Sequence, residues 1–171
     1  MANVRRRSYQ KGAAGGGLTE VLITAAIVAV ISAAGVPAFY TYFWTSSLRA
    51  GAEEFATLVN LARSLAIREN AHACVSLDPA GTNRVRILVA ISSPCRGAAR
   101  VYGRRELGID SRVDADGWIA LQNGVAVTAA TAEVVFTSIG AAAPGGTYTI
   151  SRNGRALHVV VAPSGRISVA P

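Results

Sequence analysis

The run from Val21 to Trp44 contains no charged residue, and as a helix it would extend ~36 Å at 1.5 Å per residue. That length crosses a bilayer. The helical pattern continues past it: Leu48, Ala52, Phe55, Val59, Ala62 and Ala66 recur every three or four positions and draw one apolar stripe, with Glu53, Glu54, Arg63 and Arg68 outside it. The pattern predicts one helix from about Leu18 to about Glu69, first in lipid and then amphipathic against a folded domain. Pro37 interrupts it where a kink or local unwinding is expected, although membrane helices tolerate proline without further consequence.

After Asn70 the period shortens. The segments 85–91, 118–121, 125–127, 133–136, 147–150, 156–162 and 166–170 are short and rich in β-branched residues, and turn residues separate them. They predict antiparallel strands. Asn153-Gly154 and Pro163-Ser164-Gly165 mark hairpins, so the last three strands should form a meander. Residues 78–83 and 141–146 read as loops, and no fixed-period repeat is present.

Charge adds an orientation. Of the 17 basic residues in this 171-residue chain, Arg5, Arg6, Arg7 and Lys11 precede Gly12, while all 10 acids follow it. Without that leader, 13 basic residues face 10 acids, and the net charge falls from +7 to +3. Part of the basic character is therefore a membrane-orienting flank, and the high charge says less about nucleic acid than it first suggests. The flank places the N-terminus in the cytoplasm and the C-terminal part across the membrane. A secretory signal peptide is the competing reading, but the apolar run exceeds the usual h-region of about 7–15 residues and no clear cleavage boundary follows it.

Glu20, at the head of the run, would cost on the order of 2.5–3.5 kcal/mol at the bilayer centre. Basic leader, Gly, then Leu and Glu opening a membrane helix resembles the class III leader of type IV pilins and type II secretion pseudopilins. A cut between Gly15 and Gly16 places Leu18, Glu20 and Pro37 together at the sites where mature chains of that family carry Leu, Glu and often Pro. One departure is that Gly16 stands where the family usually begins with Phe or another apolar residue. The resemblance implies processing by a prepilin peptidase, N-methylation, and pairing of the Glu20 carboxylate with a neighbouring subunit's N-terminal amine in a low-dielectric bundle. An acid favoured by the helix dipole explains the position without a partner.

Two further stretches narrow the resemblance to GspH/FimT-type minor pseudopilins. Leu61, Ala62, Arg63, Ser64, Ala66, Ile67 and Asn70 match a helix-ending motif of that family, with Leu65 in place of its acid. Residues 158–169, "HVVVAPSGRISV", resemble its final hairpin. Roughly two thirds of the chain is covered, and residues 92–117 match no motif.

The implied architecture is α+β and pilin-like, a long N-terminal helix on an antiparallel β-sheet domain. It divides into a leader (1–15), a transmembrane segment (16–44), its amphipathic continuation (45–70) and a periplasmic β-rich domain (71–171). The implied location is the bacterial inner membrane, single pass, with assembly into a periplasmic pseudopilus beside other pseudopilins or pilins.

Cys74 and Cys95 fall on the exported side, where a disulfide would close a loop of about 20 residues, worth ~3 kcal/mol. Two unpaired small hydrophobes is the alternative, and a metal site is weaker still because no His or second Cys lies at ligand spacing. His72 and His158 have no nucleophile motif beside them. No G-x-S-x-G, H-E-x-x-H or phosphate-binding loop is present, so neither an enzyme nor a cofactor is expected.

Two roles stay open: a structural subunit at the tip of a secretion pseudopilus, and a minor pilin that acts in pilus biogenesis or binds DNA during uptake. FimT-like DNA binders carry a C-terminal "GRxR"; here Gly165 and Arg166 match but Ser168 replaces the second arginine. Arg152, Arg155 and Arg166 would make a small basic patch if they converged at strand ends; the alternative is scattered, solvated arginines.

Overall fold

The computed structural model describes residues 17–79, 83–91, 95, 99–103, 112–129 and 133–171. The chain divides into two compact units, Met1–Thr41 and Tyr42–Pro171.

Helix α1 runs Gly17–Arg68, with Glu20 in its first turn and Arg68 in its last, each at the dipole end that favours its charge. It continues without a break through Pro37, so the expected local unwinding is absent. A single proline removes one backbone donor, and the turns on either side keep theirs. In the first unit α1 is exposed along its whole described length, including Leu18, Val21, Ile27, Val30 and Ile31. It is the one described helix long and apolar enough to cross a membrane.

In the second unit α1 lies on two antiparallel sheets. All six residues of the predicted stripe are buried, and Ser47, Gly51, Leu58 and Leu65 widen it. Sheet one has the order β3 (Arg100–Val101), β2 (Arg84–Ala90), β1 (His72–Leu77), β6 (Val135–Phe136), and β4 (Ile119–Ala120) pairs with the other end of β2. Sheet two has the order β5 (Ala126–Ala129), β7 (Gly146–Arg152), β8 (Arg155–Val161), β9 (Ile167–Ala170). The predicted meander is therefore present as β7-β8-β9.

Strands β1 and β3 are absent from the reading of the pattern. In β1, Ala73, Cys74 and Val75 are all buried, so no polar alternation marks the strand. Ala73 is a poor strand former, and the segment becomes a central strand through pairing with β2 and β6.

The core joins the α1 stripe to inward residues of both sheets, among them Val75, Ile87, Ile119, Phe136, Ile150 and Val159. Phe55 meets Tyr148 edge to face at 4.9 Å. A smaller cluster of Cys74, Leu88, Ala90, Cys95 and Val135 covers the other face of sheet one. Alternation along β1 and β2 sends Val75, Val85 and Ile87 one way and Cys74 and Leu88 the other.

Candidate assembly and interaction sites

Leu18, Glu20 and Pro37 lie along the exposed first part of α1, spread over five turns and not gathered into one site. Gly15 and Gly16 fall outside the described residues. Aromatic side chains concentrate where the apolar run ends, with Phe43 and Trp44 edge to face at 5.4 Å.

The helix-end motif and the final hairpin meet in space. Arg63 Nε donates to the Gly140 carbonyl at 2.9 Å across 77 residues of sequence. Gly165, in the turn between β8 and β9, has φ +80°, and a Cβ there would strike that same carbonyl and come within 2.9 Å of Arg63 Nε. The Pro163 carbonyl accepts from the Ala142 amide at 2.9 Å, which clips the two turns together. Asn70 closes α1 in the left-handed region (φ 48°), and the Ala71 amide returns to the Ala66 carbonyl at 3.0 Å. Arg63, Asn70 and Gly165, matched as sequence, are thus a helix cap and a turn anchor.

Glu54 is a link the pattern does not reveal. Its side chain is largely covered, its Oε1 pairs with Arg112, and its Oε2 accepts the Gln122 amide at 3.0 Å. It secures the segment before β4 and the segment after it to the helix. An acid on the polar face of an amphipathic helix carries no signal of such a partner.

Cys74 and Cys95 are bonded, with Cα atoms 6.1 Å apart. Cys74 points to the outer face of sheet one, and the bond draws Cys95 over Leu88 and Val135.

The three arginines do not converge. Arg152 and Arg155 are the closing pair of the β7-β8 hairpin, whereas Arg166 stands beyond Val161 at the opposite end of β8. Seven strand residues separate them by about 20 Å. Register, not sequence spacing, decides this: β8 runs its full length between the two turns. Arg152 stacks on Trp44, with its guanidinium carbon 4.6 Å from the ring centroid, and Arg155 hydrogen-bonds the Thr45 hydroxyl.

His158 Nδ1 lies 3.2 Å from the Thr149 hydroxyl, and His72 sits at the start of β1. Among the described residues no group of His, Cys, Asp and Glu could hold a metal. Burial, opposed by the Val134 amide that donates to its oxygen at 3.4 Å, pushes the Tyr148 phenol up to about 12. Burial also raises the Tyr102 phenol, whose hydrogen bond to Glu69 lowers that carboxyl.

Residues 51–165 match the profile of the family described as Type II transport protein GspH. The chain belongs to this family. GspH-family proteins are pilin-like structural subunits that assemble with other pilins or pseudopilins, and they are not enzymes. Their match spans residues 92–117, which no recognised motif covers.

Solved structures share the fold. EpsH, a minor pseudopilin of the type 2 secretion system of Vibrio cholerae, is similar with a TM-score of 0.52 at 17% identity, covering 73% of this chain and 98% of EpsH. The type IV minor pilin FimU of Pseudomonas aeruginosa gives 0.51 at 20% identity, with 74% and 90% covered. The solution structure of E. coli GspH gives 0.50 at 13% identity, with 73% and 88% covered. No curated protein gives a significant sequence match. At these identities the likeness is one of fold, and the GspH assignment rests on the family match.

Proposed function

We propose that this GspH-family chain is a minor subunit of the type II secretion pseudopilus, placed in its tip region and supporting protein export across the outer membrane. In this reading a prepilin peptidase removes residues 1–15, and 16–44 anchor the mature chain in the inner membrane lipid. The N-terminus then faces the cytoplasm, and 45–70 and the β-domain 71–171 lie in the periplasm. The observation that carries it is a single register: one cut after Gly15 aligns Leu18, Glu20 and Pro37 on a helix able to span a bilayer, ahead of a GspH-type domain.

Glu20 is the assembly contact. A carboxylate in an apolar helix is costly alone and much less so when paired with a neighbour's amine, so it selects subunit registry. The test cross-links the chain to other pseudopilins in membranes of equal protein content. Glu20→Ala should leave membrane insertion and the β-domain intact and reduce incorporation several-fold. Glu20→Gln should match Ala, because the charge carries the effect. Unchanged incorporation, or a mature chain still beginning at Met1, would refute the reading.

The FimU-like fold supports a second reading, a FimT-like minor type IV pilin in pilus biogenesis or DNA uptake. Incorporation into type IV pili rather than a secretion pseudopilus separates the two. Neighbouring genes for a secretion ATPase and secretin, or for pilus and competence functions, point the same way.

A further inference from the structure

The β7-β8 hairpin ends in a way that its fold does not require. The core-facing side of β7 carries Tyr148 and Ile150, and that of β8 carries Val161, Val159 and Leu157. One step nearer the turn, the same face presents Arg152 and Arg155, directly opposite each other. Like charges in a cross-strand pair destabilise a hairpin. The turn supplies the closure without them, since Asn153 (φ 49°) and Gly154 (φ 75°) both adopt the left-handed backbone of a two-residue loop. Among the described residues neither arginine is paired with a carboxylate. The acid nearest in sequence on this stretch of helix, Glu53, is held by Arg49 at 3.0 Å.

What the arginines touch is specific. Arg152 lies on the ring of Trp44 and Arg155 reaches Thr45, so the tip is held at the residue where the charge-free run ends. Tryptophan at the end of a spanning segment sits at headgroup level. A guanidinium stacked on that ring is held at the same depth.

We infer that Arg152 and Arg155, held on Trp44 and Thr45 at the hairpin tip, form a contact for anionic phospholipid headgroups on the periplasmic face of the membrane. The inference rests on the membrane-anchor reading above. Two positive charges held on a rigid turn attract phosphate oxygens, and each basic residue near an anionic surface favours binding by roughly 5-fold. The contact orients the folded domain at the membrane surface before assembly. It does not disturb insertion: these arginines lie more than 100 residues beyond the span in sequence and reach its end only after folding. DNA phosphate shares the chemistry, but Trp44 at the close of an apolar run favours lipid.

The experiment uses the full chain with Trp118→Phe, which leaves Trp44 as the one tryptophan. It is reconstituted in vesicles of phosphatidylcholine with a minor fraction of phosphatidylglycerol, one or the other brominated near the headgroup end of its acyl chains. Per brominated molecule, phosphatidylglycerol should quench Trp44 several-fold more strongly than phosphatidylcholine. R152Q/R155Q should bring the two to parity, while R152K/R155K, which keeps both charges, should retain the preference. Using the ratio of the two quenchers within each variant removes any change in Trp44 emission caused by losing the stacked guanidinium. Equal quenching in the parent, a preference that survives R152Q/R155Q, or parity in R152K/R155K would overturn the inference. So would DNA oligonucleotide binding that depends on these arginines in the absence of a lipid preference. No quenching by either lipid would instead mean that Trp44 is not at a bilayer, and the membrane-anchor reading itself would fail.

Discussion

Gly165→Ala should be among the most damaging methyl additions in the β-rich domain. At φ +80° an alanine pays the left-handed penalty of about 1–2 kcal/mol. Its Cβ would also strike the Gly140 carbonyl, which must move and so release Arg63 Nε from a 2.9 Å charge-assisted bond worth about 1.5–3 kcal/mol. The sum is roughly 2.5–5 kcal/mol. Gly154 supplies the control: its φ is +75° and nothing lies within 4 Å of an added Cβ, so Gly154→Ala should cost only the first part, about 1–2 kcal/mol. Urea unfolding of the full chain in a mild non-ionic detergent, followed by far-ultraviolet circular dichroism, measures both. With a slope of about 2 kcal/mol/M, the Gly165→Ala midpoint should fall by roughly 2 M and that of Gly154→Ala by less than about 1 M. Arg63→Met completes a cycle: because it has already removed the bond, the double variant should be less destabilised than the two singles added together. Equal costs for the two alanines, or strict additivity with Arg63→Met, would refute the claim that the two turns and the helix are joined through this carbonyl.

Two further outcomes follow from the buried groups. The Cys74–Cys95 bond should leave no thiol open to alkylation in protein isolated without reductant, and its reduction should cost ~3 kcal/mol in the same unfolding assay; full alkylation of both native cysteines would oppose it. Tyr148 has a folded pKa raised above its unfolded value near 10, so its contribution is complete below pH 10 and is lost as pH rises from about 10 to 12. Relative to Tyr148→Phe, the parent should therefore lose about 2 kcal/mol across that window, and parallel pH profiles for the two proteins would contradict the burial argument.

Local chemistry in the chain determined more here than is usual for a domain built on sheets. The charge-free run, the stripe from Leu48 to Ala66 and the two turn signals around β8 fixed the helix and the closing meander, because each depends on neighbours within a few residues. Strand β1 was not legible: Ala73, Cys74 and Val75 are buried on both faces, and only pairing with β2 and β6 defines them. Tertiary structure alone decided which side chains meet. It joined Arg63 to Gly140 and Gly165, gave Glu54 a covered partner in Arg112, and put Arg166 at the far end of β8 from Arg152 and Arg155. It also carried those two arginines across more than 100 residues to Trp44 and Thr45. Periodicity reports which face of an element is apolar, whereas the meeting of distant side chains depends on strand register and on how far each turn extends, and those are set only when the core closes.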